Sequence, residues 1–125
     1  MKLAIGGSAL VALVLLAGCE EPSEIPAHRR VIDGDAAQGR ELIASFGCGA
    51  CHTIPGIRSA RGMVGPPLTG LGRRTHIAGR LPNHPDLLVH WLLDPPGLNP
   101  RTLMPNVGAD EQQARHMAAY LYTLR

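Results

Sequence analysis

The chain has 125 residues, a formal net charge of +2 and only four aromatic residues, Phe46, Trp91, Tyr120 and Tyr122. With an N-terminal leader and linker set aside, about 90 residues remain, which limits the fold to one small domain whose apolar core is marginal alone. Lys2 is the one lysine; from Gly39 onward nine arginines face five acidic residues, a basic balance that suits either an acidic docking partner or an ordinary solvated surface.

Residues 1–18 read as a lipoprotein signal peptide, not as part of the fold. Lys2 supplies the positive start, Leu3 to Leu16 is almost uninterruptedly apolar, and Leu16-Ala17-Gly18-Cys19 places small residues before a cysteine. This resembles the lipobox of bacterial lipoproteins, in which the cysteine is acylated; Cys19 is therefore the expected lipid attachment site. The apolar run falls short of the roughly 20 residues that span a bilayer. A soluble secreted chain would instead leave Cys19 an unpaired thiol in an oxidising space. Each buried methylene contributes about 0.8 kcal/mol, so two or more acyl chains give effectively permanent attachment. The domain is expected to face the periplasm or the cell exterior, where nucleic acid is not a partner.

Residues 19–35, with Pro22, Pro26 and many charges, read as a flexible tether that reaches roughly 60 Å when fully stretched. The domain then covers residues 36–125. Its first helix is predicted from Ala36 to Phe46, with Asp33 or Asp35 as N-cap and Ala36, Gly39, Ile43 and Phe46 recurring at helical spacing.

Directly after it stands Cys48-Gly49-Ala50-Cys51-His52, the Cys-x-x-Cys-His spacing of covalent haem attachment. Two thiols so placed can each form a thioether to a haem vinyl group, and the adjoining imidazole of His52 can reach the iron. A structural zinc site needs about two further ligands; no second cysteine pair is present, and of His28, His76, His84, His90 and His116 only His84 and His90 show His-x3-5-His spacing, far further beyond Cys51 than the roughly 12–15 residues of a zinc finger. A thioredoxin-like pair needs a parallel sheet, and the chain carries no run of β-branched strands. One haem c would also supply the flat apolar mass that the scarce aromatics do not.

A glycine- and proline-rich stretch, Thr53 to Arg74, reads as loops with at most one helical turn. A second long helix is predicted from His84 to Leu93, opened by Asn83 with Asp86 three residues on; its apolar face is Leu87, Leu88, Trp91 and Leu92, and Asp94-Pro95-Pro96-Gly97 ends it. The last helix is predicted from Asp110 to Leu124, with Ala114, Met117, Ala118 and Leu121 on one stripe. The expected fold is all-α, three to five short helices wrapped around one haem, with no strand signal.

Iron held by His52 needs a ligand from the opposite face. Met104, in a loop between two predicted helices, is the leading candidate, because a soft neutral thioether raises the reduction potential. Met63 is the rival in the flexible loop, Met117 belongs to a helical stripe, and a histidine or an open position stands as a further alternative. Methionine also serves simply to fill core gaps.

From about Ala37 to its end the sequence resembles class I cytochromes c. The residues that carry the likeness are Gly39-Arg40-Glu41-Leu42-Ile43, Cys48 to His52, Gly65-Pro66-Pro67-Leu68, Met104-Pro105 and Ala118-Ala119-Tyr120-Leu121-Tyr122. The resemblance implies that the Pro66 carbonyl accepts a hydrogen bond from His52, and that Gly39 permits a close crossing of the first and last helices near Tyr120. It also implies that Arg73 or Arg74, and Trp91, lie near a haem propionate. A narrower likeness, over Arg73 to Asn83 and Leu88 to Pro95, is to the cytochrome c domain fused to subunit II of bacterial haem–copper oxidases. The copper-bearing part has no counterpart here, so a free-standing lipid-anchored relative is expected. These likenesses imply a non-enzymatic carrier of single electrons between membrane-associated respiratory complexes, from a donor such as a quinol-oxidising complex to a terminal oxidase, with no small-molecule substrate. The alternatives are a haem-based gas sensor or peroxidase-like protein, should Met104 not be a stable ligand, and a permanent cytochrome subunit of a larger oxidoreductase.

Overall fold

The computed structural model describes residues 24–125; the signal peptide and Cys19 lie outside the described residues. The fold is all-α. Helix α1 covers Ala36–Ser45, α2 Pro85–Leu93, α3 Pro95–Leu98 and α4 Glu111–Thr123, with 3₁₀ turns at Ala27–Arg29, Cys48–Ala50 and Leu71–Arg73. No described helix is long and apolar enough to cross a membrane.

Helix α1 starts where Asp35 accepts hydrogen bonds from the backbone N–H groups of Ala37 (2.8 Å) and Gln38 (3.1 Å). Those bonds, the Gln38 backbone N–H first, hold the Asp35 carboxyl below the usual carboxylate range. Helix α4 starts at a capping box: Asp110 accepts from the Gln113 backbone, and the Gln113 side chain accepts from the Asp110 N–H. The two helices cross at Gly39. A Cβ there would overlap the His116 carbonyl oxygen and stand 3.0 Å from Cβ of Tyr120, so only glycine admits this approach. Tyr120 then donates its hydroxyl to the Pro55 carbonyl at 2.7 Å, while Arg40 grips the Gly56 carbonyl with two donors. Helix α2 packs against α4, and the core between them holds Leu88, Trp91, Leu92, Met117, Leu121 and Tyr122.

The structure departs from the sequence reading in three places. Asn83 does not cap α2. Pro85 occupies the first helical turn behind His84, and Asn83 is buried, donating to the Leu71 and Arg74 carbonyls (2.8 and 2.9 Å) and accepting from the Tyr122 hydroxyl (2.9 Å). A short antiparallel hairpin is present, β1 His76–Ile77 paired with β2 Leu81–Pro82. Its turn uses left-handed backbone at Ala78 (φ 49°) and Gly79 (φ 85°). Two-residue strands are too short to leave an alternating pattern.

The third departure is that residues 24–35, expected in the tether, pack on the domain. Val31 is buried, Gly34 lies against Ala119, and Gln112 donates to the Asp33 carbonyl at 2.8 Å. Arg29 reaches the Arg74 carbonyl at 2.9 Å, and Arg125 reaches the Glu24 carbonyl at 2.7 Å.

Candidate haem site

Helix α1 ends at Ser45 with Phe46 as its C-cap, and Gly47, at φ 72°, turns the chain into the Cys48–Ala50 turn. Hydrogen bonds from the Cys51 and His52 N–H groups to the Cys48 carbonyl (3.2 and 3.0 Å) close this turn. The following loop folds back over it: Gly62 donates to Gly49, Gly65 to Cys51 and Leu68 to Thr53. This return brings the Pro66 carbonyl within 2.7 Å of Nδ1 of His52. A carbonyl only accepts, so Nδ1 carries the proton and Nε2 of the neutral ring keeps its lone pair for a metal. Gly65 lies flat on the same ring, and a Cβ there would overlap Cε1. The imidazole is thus fixed in tautomer by one neighbour and in position by the other.

Cys48, Cys51 and His52 open onto a cavity of about 430 Å³, which Met104 also lines. That volume falls in the range of cofactor sites, roughly 300–1,000 Å³. Its walls are largely apolar, with Ile43 and Phe46 from α1, Leu68 and Leu71 from the loop, and Leu88 and Trp91 from α2. Both thiols are free, and burial pushes the Cys48 thiol up. Two unpaired thiols, an oriented imidazole and a thioether around one apolar cavity form a donor set that fits haem c.

The methionines separate clearly. Met63 is 90% exposed and does not line the cavity; Met117 is 1% exposed within the core; Met104 is half-buried at the cavity wall. Its N–H is tied to Oγ1 of Thr102 at 3.1 Å. The arginines separate too. Arg74 lines the cavity and donates to the Pro67 and Thr69 carbonyls, whereas Arg73 is exposed and lies outside the lining. Trp91 lines the cavity; His76, His84 and His90 do not. Sequence reasoning missed Asn99 and Thr102, which also line it; they stand in an irregular loop where no periodicity marks a facing side chain.

The family model for cytochrome c matches residues 36–125. The chain belongs to the cytochrome c family. This cytochrome c is 33% identical over 107 residues to "Cytochrome c oxidase subunit 2" of Alkalihalophilus pseudofirmus, covering 85% of the chain and 28% of that relative. It is 29% identical over 103 residues to the protein of the same name from Bacillus sp. (strain PS3), covering 79% of the chain and 29% of the relative. The chain thus spans little more than a quarter of the length of either relative. Membership makes it an electron-transfer haem protein, and the spacing of Cys48 and Cys51 before His52 fits haem c.

Proposed function

We propose that this cytochrome c carries single electrons between membrane-associated respiratory complexes, on one haem held by thioethers to Cys48 and Cys51. The observation that supports this best is that both cysteines, His52 and Met104 line one apolar cavity. Haem supplies the one-electron iron couple when bound. His52 would hold the iron through Nε2, and its bond to Pro66 fixes the ring and raises its basicity. Met104 would supply the second protein ligand. With both side chains on the iron no position would be left for a substrate, and the chain would act as a carrier and not as an enzyme. Arg74 and Trp91 are the propionate-side residues; Arg73, exposed, is the weaker candidate of the arginine pair. The apolar walls keep water from the site, which tunes the potential.

Cys19 is the lipid anchor in this reading, with the domain on the periplasmic or outer face of a bacterial membrane. Because residues 24–35 pack on the domain, the stretch from Cys19 to Glu24 spans at most about 18 Å. The reach is far shorter than a tether of residues 19–35 would give. The acceptor is proposed to be a haem–copper oxidase, by analogy with the relatives' names, and the donor a quinol-oxidising complex, as the sequence resemblance implies. Those names also favour a second reading, a permanent cytochrome subunit; copurification with an oxidase in mild detergent distinguishes it from a shuttle.

The test is the optical spectrum of the haem-loaded chain, oxidised and reduced, with and without carbon monoxide. Wild type is expected to show the weak long-wavelength band of methionine-to-iron ligation and no response to carbon monoxide. Met104→Ala is expected to lose the band and bind the gas. Ready binding by wild type would replace electron carriage with sensing or catalysis.

A further inference from the structure

Hydrogen bonds alternating with covalent links through Arg74 and the Pro66-Pro67 peptide join the N-terminal segment to His52. Arg29 donates from Nη2 to the Arg74 carbonyl at 2.9 Å, across 45 residues of sequence. The Arg74 side chain donates to the Pro67 and Thr69 carbonyls, and the neighbouring Pro66 carbonyl accepts from His52 at 2.7 Å. We propose that Arg29 is a positioning residue for His52, acting through Arg74 and the turn at residues 66–69; the inference rests on the reading of His52 as an axial ligand.

Three features support it. First, Arg29 is held tightly: its guanidinium carbon stands 5.7 Å from the centre of the Tyr122 ring, and its Nη1 is buried without a hydrogen bond to the protein. A buried donor left unpaired costs free energy; the stacking over Tyr122 and the Nη2 bond offset it. Secondly, the Arg74 carbonyl is gripped twice, by Arg29 and by Asn83, and Asn83 also holds the Leu71 carbonyl and Tyr122. The 71–74 turn is therefore clamped between the N-terminal segment and α4. Thirdly, Pro66 and Pro67 are consecutive, so both φ angles are locked and the first residue is confined to extended backbone. Of the torsions between the Pro66 and Pro67 carbonyls only ψ of Pro67 stays soft, so a displacement of Pro67 passes largely to the Pro66 carbonyl.

Loosening Arg29 frees one grip on the Arg74 peptide, slackens the turn and lengthens the His52 to Pro66 bond. An imidazole with a weaker Nδ1–H bond donates less to a metal, so the oxidised state is less stabilised and the potential rises. Lysine at position 29 keeps the cation but not the planar fork, which isolates geometry from charge.

The experiment uses the haem-loaded chain as wild type, Arg29→Lys, Arg74→Lys and the double variant. Proton NMR of the reduced protein follows exchange of the His52 Nδ1–H, and redox titration gives the midpoint potential. Each single variant is expected to exchange roughly tenfold faster, the scale of one net hydrogen bond, with the potential moved upward. The double variant is expected to add nothing, because the two residues act in series. Should Arg29→Lys not accumulate, Arg29→Gln replaces it and is also expected to speed exchange. A lowered melting temperature with unchanged His52 exchange and potential would overturn the proposal, as would additive effects in the double variant. A wild-type spectrum with no haem-shifted His52 ring protons would instead overturn the ligand reading beneath it.

Discussion

At the α1–α4 crossing, backbone meets backbone: Gly39 lies against the His116 carbonyl, and Ala114, Met117 and Ala118 are almost fully buried beside it. Around the cavity the chain from Thr53 to Gly70 forms no described helix, and it is held by single bonds such as Gly65 to Cys51 and Leu68 to Thr53. Exposure follows the same division. Val64 and Leu103, both on the cavity wall, are 71% and 87% exposed. The crossing satisfies its own apolar surface, whereas the loop half presents apolar surface to the cavity. We infer that this small domain with few aromatics folds in two parts of unequal independence, the second relying on the haem that its cavity fits.

The most damaging way to break this division is at the crossing. Gly39→Val is expected to cost about 3–5 kcal/mol, since the overlap is with a main-chain carbonyl that cannot turn aside; chemical denaturation measures it, and a cost below about 1 kcal/mol would show that the helices need not approach so closely. The next strongest is the seam between the halves. Asn83→Ala leaves the Leu71 and Arg74 carbonyls and the Tyr122 hydroxyl short of a partner, an expected loss of about 2 kcal/mol, read in the same way. Tyr122, whose hydroxyl burial already pushes up, is expected to show the change in its absorbance.

The smallest effect sharpens the comparison by titration. Asp35 has its carboxyl lowered in the folded state, so its contribution is present above the unfolded carboxylate range, near about 3.9, and is lost as pH falls through the lower folded value. Asp35→Asn is expected to remove that part of the acid limb by lowering stability above the carboxylate range, the two proteins converging in strongly acid solution. Melting curves from neutral to strongly acid pH check this, and an unaltered acid limb would mean that the cap carries no linkage.

The difference between the halves also explains what was legible in the sequence. Both long terminal helices were readable because caps and periodicity are local: Asp35, one of two expected caps, opens α1, and α4 starts at Asp110, where the periodicity placed it, although the Gln113 half of its capping box was not foreseen. The pentapeptide at Cys48 was readable for the same reason. Asn83 was misread because a helix cap and a buried amide hub look alike in one dimension; what separates them is the contact with Tyr122, 39 residues away. Residues 24–35 carry Pro26 and the charges of a linker, yet their partners are α4, Arg74 and Arg125, none of them near in sequence. The cavity residues Asn99 and Thr102 lie in irregular backbone, where facing is set by tertiary folding alone.

The measurement closest to the central claim is amide hydrogen exchange on the haem-loaded chain and on the Cys48→Ser, Cys51→Ser double variant, which cannot hold haem covalently. The account predicts that α1 and α4 keep most of their protection in the variant while residues 53–70 and 99–109 lose theirs. Equal loss across the whole chain, or no loss in either loop, would contradict a loop half that depends on its haem.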